Sequence, residues 1–479
     1  MSSLERLDNS RLILPVEYKK GMTVPGIIYA SLELEGHLET RAIDQVACVA
    51  SLPGIVGYSL AMPDIHAGYG FPIGGVAAFD MDNGVISPGG VGYDINCGVR
   101  LVRSFITKGE IMPVIREAVT GLYNAIPSGL GAKGNIRLNK SELMQVLIKG
   151  ARWAVERGLG KEQDLLRIES NGCMGDVYTE TVSEKAIYRG LNQLGTLGSG
   201  NHFLEIQYVD KIYDEAAAAC FGLFLNQVTL MIHTGSRGLG HQVCTDYISI
   251  MEKASRKYEI TLLDKELSCA PFNSSEGGDY FSAMKASANY AWANRQCISN
   301  FACEAVIKSI GISPKSAGFE LVYDVAHNIA KIERHIYKGK KQDLIVHRKG
   351  ATRAFPSGHS ELSAEYKDIG QPVLIPGDMG RASYVLIGMQ GSMEKTFGST
   401  CHGAGRVMSR HQALKAAKGR SIFNEMEHLG IMLIASDKRT IGEEMSEAYK
   451  DVSKVIDVVE ASGLCKKVAM LRPIGVVKG

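Results

Sequence analysis

The sequence has no apolar run of the ~18 residues a membrane-crossing helix needs. Its opening, MSSLERLDNSRLILP, mixes acids and bases where a secretory signal would be apolar. A cytoplasmic chain without membrane contact is expected. The ten cysteines are scattered and form no CxxC pair, so reduced thiols are the expectation. Cys48, Cys220 and Cys303 stand in apolar surroundings and read as core. There is no GxxxxGK[ST], which argues against a P-loop nucleotide hydrolase. There is no KxDG, the lysine-nucleophile motif of common nucleotidyl-transferring ligases, and no HExxH. GLGAKG (129–134) fits GxGxxG, but no convincing strand precedes it, so it reads as a loop.

Linkers are missing too. At ~150 residues per domain, 479 residues would suggest about three domains. No Pro/Ser-rich tract, charge block or low-complexity segment marks a boundary, so one large compact domain over 1–479 is expected. A net charge of +2 neither requires nor forbids a nucleic-acid partner.

Two textures alternate along the chain. Helical periodicity appears over 114–126, 141–157, 243–258, 280–309 and 443–460. Short β-type runs appear at 75–79, 99–105, 228–232, 319–323, 344–346, 373–375 and 384–387. Their spacing is too irregular for a (β/α)₈ barrel, and an α+β class of mixed sheets flanked by helices follows. A third texture is richer in information. Much of the unusually large glycine content (53 residues, against a ~7% average share) falls in segments that follow a β-run and carry His, Cys or Asp.

In GGVGYDINCGVR, Asp94 and Cys97 are three apart and can face one metal; the alternative is a cap and a small buried hydrophobe. MPDIHAGYG adds Asp64 and His66 as acid/base or RNA-contacting candidates. In GTLGSGNHFLEIQ, His202 stands between a glycine turn and a strand, and Gly198 and Gly200 would let backbone N–H groups approach a phosphate. His233 ends an apolar strand and faces a turn carrying Arg237, whereas His241 reads as a solvated helix-start residue. His327 and Asn328 follow another apolar strand. Arg348, Lys349 and Arg353 form a basic cluster suited to phosphates, or else a solvated charge run. His402, between Cys401 and Gly403, has room for a phosphate ester and can act as a covalent nucleophile, with Arg406 as a cation nearby. Mixed O, S and N donors suit a transition metal, and a thiolate bridging two divalent ions suits two-metal phosphoryl chemistry. The cysteine and histidine donors alone would suggest zinc.

Taken in order, GGVGYDINCGVR, GSGNHFLE, HTGSRGLGHQ, YDVAHN, HRKGATRAFP and TFGSTCHGAGR resemble the RtcB family of RNA-splicing ligases in its archaeal form, from about Met62 to the final RPIGVVKG. The resemblance implies an RtcB-like fold and an enzyme that uses GTP and two Mn²⁺ ions. Such an enzyme joins RNA 2′,3′-cyclic phosphate or 3′-phosphate ends to 5′-hydroxyl ends. It implies Asp94, Cys97 and His202 as ligands of one ion, and Cys97, His233 and His327 of the other. His402 is implied as the nucleophile that takes GMP, and Asp64 as a group orienting the RNA hydroxyl.

The implied guanylate pocket comprises Asn201, His202, Phe203, Leu204, Glu205, His327, Asn328, Pro376, Gly377, Asp378, Met379, Ser383, His402, Gly403, Ala404, Gly405, Tyr449 and Lys478. Arg189, Arg237 and Arg410 are implied RNA contacts. A monomer acting on tRNA halves, with archease as activator, is the expectation. Four positions depart from the family pattern: Ile65 and Ala67 stand where a small residue and Gln or Ser are usual, and Asp378 and Arg381 where Ser or Thr are. These bear on nucleotide affinity more than on reaction type. Two other readings stay open: a metal-dependent phosphodiesterase that only opens cyclic phosphates, and a non-catalytic RNA-binding scaffold.

Overall fold

A computed structural model describes residues 4–479. Two large mixed sheets carry the fold. The first has seven strands, in the order Glu5–Asp8, Arg11–Leu14, Gly26–Tyr29, Ile55–His66, Ile73–Asp80, Lys340–Lys349, Asn328–Tyr337. The second runs Glu320–Ala326, Gly98–Thr107, Gln227–Thr234, Phe203–Ile212, Cys465–Lys478, Ser383–Gly388, Pro372–Ile375, with Met432–Ala435 added in parallel to Cys465–Lys478. One residue, His327, separates an edge strand of the second sheet from an edge strand of the first.

The strands form where β-branched and apolar residues cluster, and those at the centre are covered on both faces. Every residue of Gln227–Thr234 is buried, as expected for a strand without a solvated side. The helix Ser275–Ile310 packs against this sheet. Its cap is Ser274, whose hydroxyl accepts from the Gly277 N–H. Around its middle it is buried on all sides, polar Asn289, Asn294, Arg295 and Gln296 included.

Six of the seven β-runs read from sequence fall inside strands of the structure, the seventh, 319–323, starts one residue ahead of Glu320–Ala326, and GLGAKG is a loop. Three expectations need correction. The helical stretch 141–157 is two helices, Lys140–Lys149 and Ala151–Val155. Gly150 breaks it with φ +57°, and a Cβ there would meet the Gly172 carbonyl oxygen at 2.1 Å. The stretch 443–460 is not one helix: Glu443 ends Lys438–Glu443, Ser446–Ala448 make a single 3-10 turn, Tyr449 is extended, and the α-helix starts at Val452. Of the three core cysteines, Cys48 is buried but Cys220 and Cys303 are half-buried.

Candidate active site

The strand registers of the second sheet bring its site residues to one end. Ala326 pairs with Gly98, Gly98 with Thr234, His233 with Phe203 and Phe203 with Lys478. Antiparallel neighbours alternate in direction. Cys97 and His202 therefore sit just before strands that start at this end, whereas His233, His327 and Lys478 sit where strands finish. Residues as far apart in sequence as 97 and 478 become neighbours through pairing alone.

At this end Asp94, Cys97 and His202 place one ligand atom each within 4.8 Å of one another. His202 Nε2 lies 2.8 Å from Asp94 Oδ2 and 3.5 Å from Cys97 Sγ, and His233 Nε2 lies 3.2 Å from the same sulfur. Four imidazoles follow in file, His202, His233, His327 and His402, with ring centroids 5.6, 5.4 and 5.2 Å apart. Gly198 leaves space for the first, since a Cβ there would sit 1.9 Å from His202 Nδ1.

This donor set fits a metal cation. Burial, then neighbouring histidine charge, pushes His233 and His327 well below the ordinary imidazole range, so both are neutral donors. His327 Nδ1 is 3.0 Å from Thr352 Oγ1, while its buried Nε2 has no hydrogen-bond partner among the described residues; a ligand nitrogen awaiting a cation looks like this. Burial and Asp94 push the Cys97 thiol well above its ordinary range, so a cation would have to displace its proton.

One buried cation braces the ligands. Arg295, from the middle of the long helix, donates to the carbonyls of Asn96 and Thr234 at 2.8 Å each, and to the Asn96 side chain at 2.9 Å. It also grips Asp324 at 2.8–3.1 Å. Asn96 precedes Cys97, Thr234 follows His233, and Asp324 leads to His327. Arg100 shares Asp324 at 2.7 Å. Nothing in the local sequence around Arg295 marks this role.

His402 follows the short strand Ser399–Cys401, which pairs with Ala351–Arg353. Asp64 Oδ2 lies 2.6 Å from His402 Nδ1 and accepts from the backbone N–H groups of His402 (2.9 Å) and Gly403 (3.2 Å). Burial opposes ionisation of Asp64, but the His402 contacts outweigh it and hold the carboxyl below its ordinary range. An ionised carboxylate only accepts, so Nδ1 carries a proton, and in the neutral ring the lone pair is then on Nε2. Gly405 is required here, because a Cβ would strike the Asp64 carbonyl oxygen at 2.2 Å. Asp64 is fully buried, with Oδ2 taken up by His402 and Gly403 and Oδ1 without a hydrogen-bond partner among the described residues.

A cleft runs from the metal donors past His402. Its walls include Cys97, His233, Asn201, Phe203, His327, Asn328, Pro376–Met379, His402–Gly405, Tyr449 and Lys478, with Arg406, Arg410 and Glu444. Most of the expected guanylate pocket is thus gathered in one place. His202, Leu204, Glu205 and Ser383 stand off the wall: His202 turns to Asp94, Leu204 enters the core, and Gln207 joins Glu205 (2.6 Å) to Ser383 (3.1 Å) behind it. Burial pushes the Glu205 carboxyl up to about 7. Lys478 donates to the Gly200 carbonyl and lies 3.7 Å from Glu444. Arg406 also spends its charge on Glu444, at 3.1 Å.

The three expected RNA contacts divide. Arg410 is exposed at the cleft rim and Arg189 is exposed beyond it. Arg237 is 9% exposed and committed to Thr196 (3.1 Å) and the Gly129 carbonyl (2.8 Å). The basic cluster neither grips phosphate nor faces solvent. Arg348 forms a two-pronged buried pair with Glu333 at 2.7 Å, and Arg353 pairs with Glu361 at 2.6 Å. Lys349 is buried and donates to the carbonyls of Tyr69 and Gly89.

Comparison with known proteins places the chain in a family. The sequence model of the family described as tRNA-splicing ligase RtcB matches residues 45–479. A tRNA-splicing ligase RtcB of Archaeoglobus fulgidus is 54% identical over 476 residues, covering 99% of each chain. That of Thermococcus kodakarensis is 54% identical over 100% of this chain and 99% of its own, and that of Methanococcus maripaludis 52% over 100% of both. With likeness of this extent, and with the residues of its signature segments converging on one cleft, the chain belongs to the RtcB family of tRNA-splicing ligases.

Proposed function

We propose that this chain joins RNA 2′,3′-cyclic phosphate or 3′-phosphate ends to 5′-hydroxyl ends, using GTP and a histidine–GMP intermediate. The observation that carries this reading is the Asp64–His402 pair at 2.6 Å, which leaves Nε2 free in a cleft shared with the metal donors. His402 Nε2 attacks the α-phosphorus of GTP. An N–P bond forms, the P–O bond to the β-phosphate breaks, and pyrophosphate leaves. Asp64 keeps the proton on Nδ1 as positive charge develops on the ring.

An oxygen of the RNA 3′-phosphate then attacks the same phosphorus, and the N–P pair returns to Nε2. The 5′-hydroxyl attacks the activated 3′-phosphate, giving up its proton while GMP leaves. A cyclic end is first opened by water to the 3′-phosphate. Two Mn²⁺ ions, held by Asp94, Cys97 and His202 and by Cys97, His233 and His327, would neutralise phosphoryl charge and fix the in-line geometry. Among this chain's own groups, Arg410 supplies cationic charge at the cleft rim. The substrates are the halves of an intron-split tRNA, and repair of broken RNA presents the same ends. Archease is the activator to test, because product release is a common slow step.

The test is incubation with α-labelled GTP and Mn²⁺. Wild type should acquire an acid-labile, base-stable label, and His402→Ala should acquire none while still binding both metals. A wild type that takes no label with any divalent metal would defeat the proposal. Opening of cyclic phosphates without GTP-dependent joining would favour the phosphodiesterase instead.

A further inference from the structure

Three aromatic rings beside the metal site have no part in this chemistry. Tyr69 and Tyr93 lie with ring centroids 5.6 Å apart, and Tyr93 is stacked on His241 at 4.9 Å and 29°. Both tyrosines are half-buried and His241 is exposed. None of the three lines the nucleotide cleft.

Their position is specific. Tyr93 immediately precedes Asp94, whose side chain is 28% exposed and also lies outside the cleft wall. The metal donors therefore have a second open side, and the aromatic rings flank it. His241 belongs to the first turns of the helix Arg237–Lys257. Along those turns lies Arg189: its Nη1 is 3.1 Å from Gln242 Oε1, and a Cβ on Gly238 would sit 2.9 Å from its Nε. Arg189 is itself exposed. Leading away from the metals, the surface presents a carboxylate ligand, two ring faces and a guanidinium. Burial and then the Arg189 charge push the His241 imidazole below its ordinary range, which leaves a neutral ring to stack on.

We propose that Tyr69, Tyr93 and His241 form a stacking platform for a nucleobase of a single-stranded RNA end, with Arg189 holding the adjoining phosphate. The inference rests on the ligase reading. It gives the two substrates opposite sides of the metal donors: nucleotide on the His402 side, RNA on the Asp94 side. Stacking suits the task, because every base has a π-face. An enzyme that joins varied junctions gains grip on the strand without reading its sequence.

The test uses the Mn²⁺-loaded full-length protein and two short labelled oligoribonucleotides. One ends in a 3′-phosphate and the other begins with a 5′-hydroxyl. Each is made intact and with an abasic nucleotide at successive positions from the reacting end. Fluorescence anisotropy gives the affinities. Wild type should lose about five- to hundredfold in affinity at one abasic position of one oligonucleotide, and that oligonucleotide identifies the strand held. Tyr93→Leu and Tyr69→Leu should bind the intact strand more weakly and lose the abasic penalty. The proposal is overturned if wild type is indifferent to abasic substitution at every position, or if the penalty survives in both variants. Guanylylation measured on the same wild-type preparation separates the two ideas: label with no abasic effect defeats the platform alone, and absence of label defeats the ligase reading.

Discussion

Arg381 Nε lies 3.4 Å from Asp378 Oδ2, so the two residues that depart from the family pattern in this segment meet as a pair. Asp378 lines the cleft, and its Oδ1 also accepts from the Gly380 N–H and the Ser446 hydroxyl. Burial pushes its carboxyl above the ordinary range. Arg381 offsets a carboxylate that would otherwise repel a nucleotide. Arg381→Ala should weaken binding of a GTP analogue unable to release pyrophosphate by about tenfold, the scale of one uncompensated buried group. The double variant Asp378→Ser/Arg381→Thr should return most of the loss. Equal affinities for the single and double variants by titration calorimetry would refute this coupling.

Asp64→Asn tests the tautomer argument. An amide can donate to Nδ1, which moves the ring proton to Nε2 and removes the attacking lone pair. Single-turnover guanylylation should slow on the order of 10⁴-fold, as when the orienting carboxylate of a catalytic triad becomes an amide. GTP affinity should be kept. A rate close to wild type would mean that Asp64 is only structural.

Arg295→Lys keeps the buried charge but loses the forked geometry. Metal affinity should fall about 10- to 100-fold, the range for lost outer-shell support. The control is Arg348→Lys, which disturbs a buried pair in the other sheet. Direct metal titration of both variants, with circular dichroism to confirm folding, decides the matter. Equal affinities in the two would remove the bracing role.

Lys450 gives a pH signature. It donates to the Pro63 (3.0 Å) and Ile65 (2.8 Å) carbonyls on either side of Asp64, and burial pushes its ammonium down to about 8 despite the pull of Asp64. The unfolded ammonium titrates near ~10.4. Between those values the unfolded chain binds more protons, so this residue's contribution to stability rises with pH across the window and is lowest below about 8. Wild type should gain about 2 kcal/mol relative to Lys450→Met between about pH 7 and pH 10. Parallel urea-unfolding midpoints for the two proteins across that range would contradict it.

Much of the site was readable because strand ends and glycine turns are local features. His202, His233, His327 and His402 each stand beside one, and strand pairing then carries them to a common end. What could not be read depends on partners supplied from far along the chain. Arg348 and Arg353 looked like phosphate ligands because Glu333 and Glu361, which pair with them, lie outside the HRKGATRAFP motif. The edge strand Asn328–Tyr337 runs against its own polarity: Lys331, Glu333 and His335 are buried while Ile332 and Ile336 are exposed. Such an inversion cannot be inferred from alternation, since alternation does not say which face is inside. Arg295 was invisible for the same reason: its partners sit on three strand ends.

Because one guanidinium serves all three of those ends, the segments bearing Cys97, His233 and His327 are not free to vary separately. A change at Asn96, Thr234 or Asp324 alters what Arg295 can satisfy, and the disturbance reaches ligands on strands the change never touched. Substitutions there should be accepted only in concert. A search for replacements that retain function should recover them as matched sets rather than singly, even where no member of the set contacts a metal, a nucleotide or RNA.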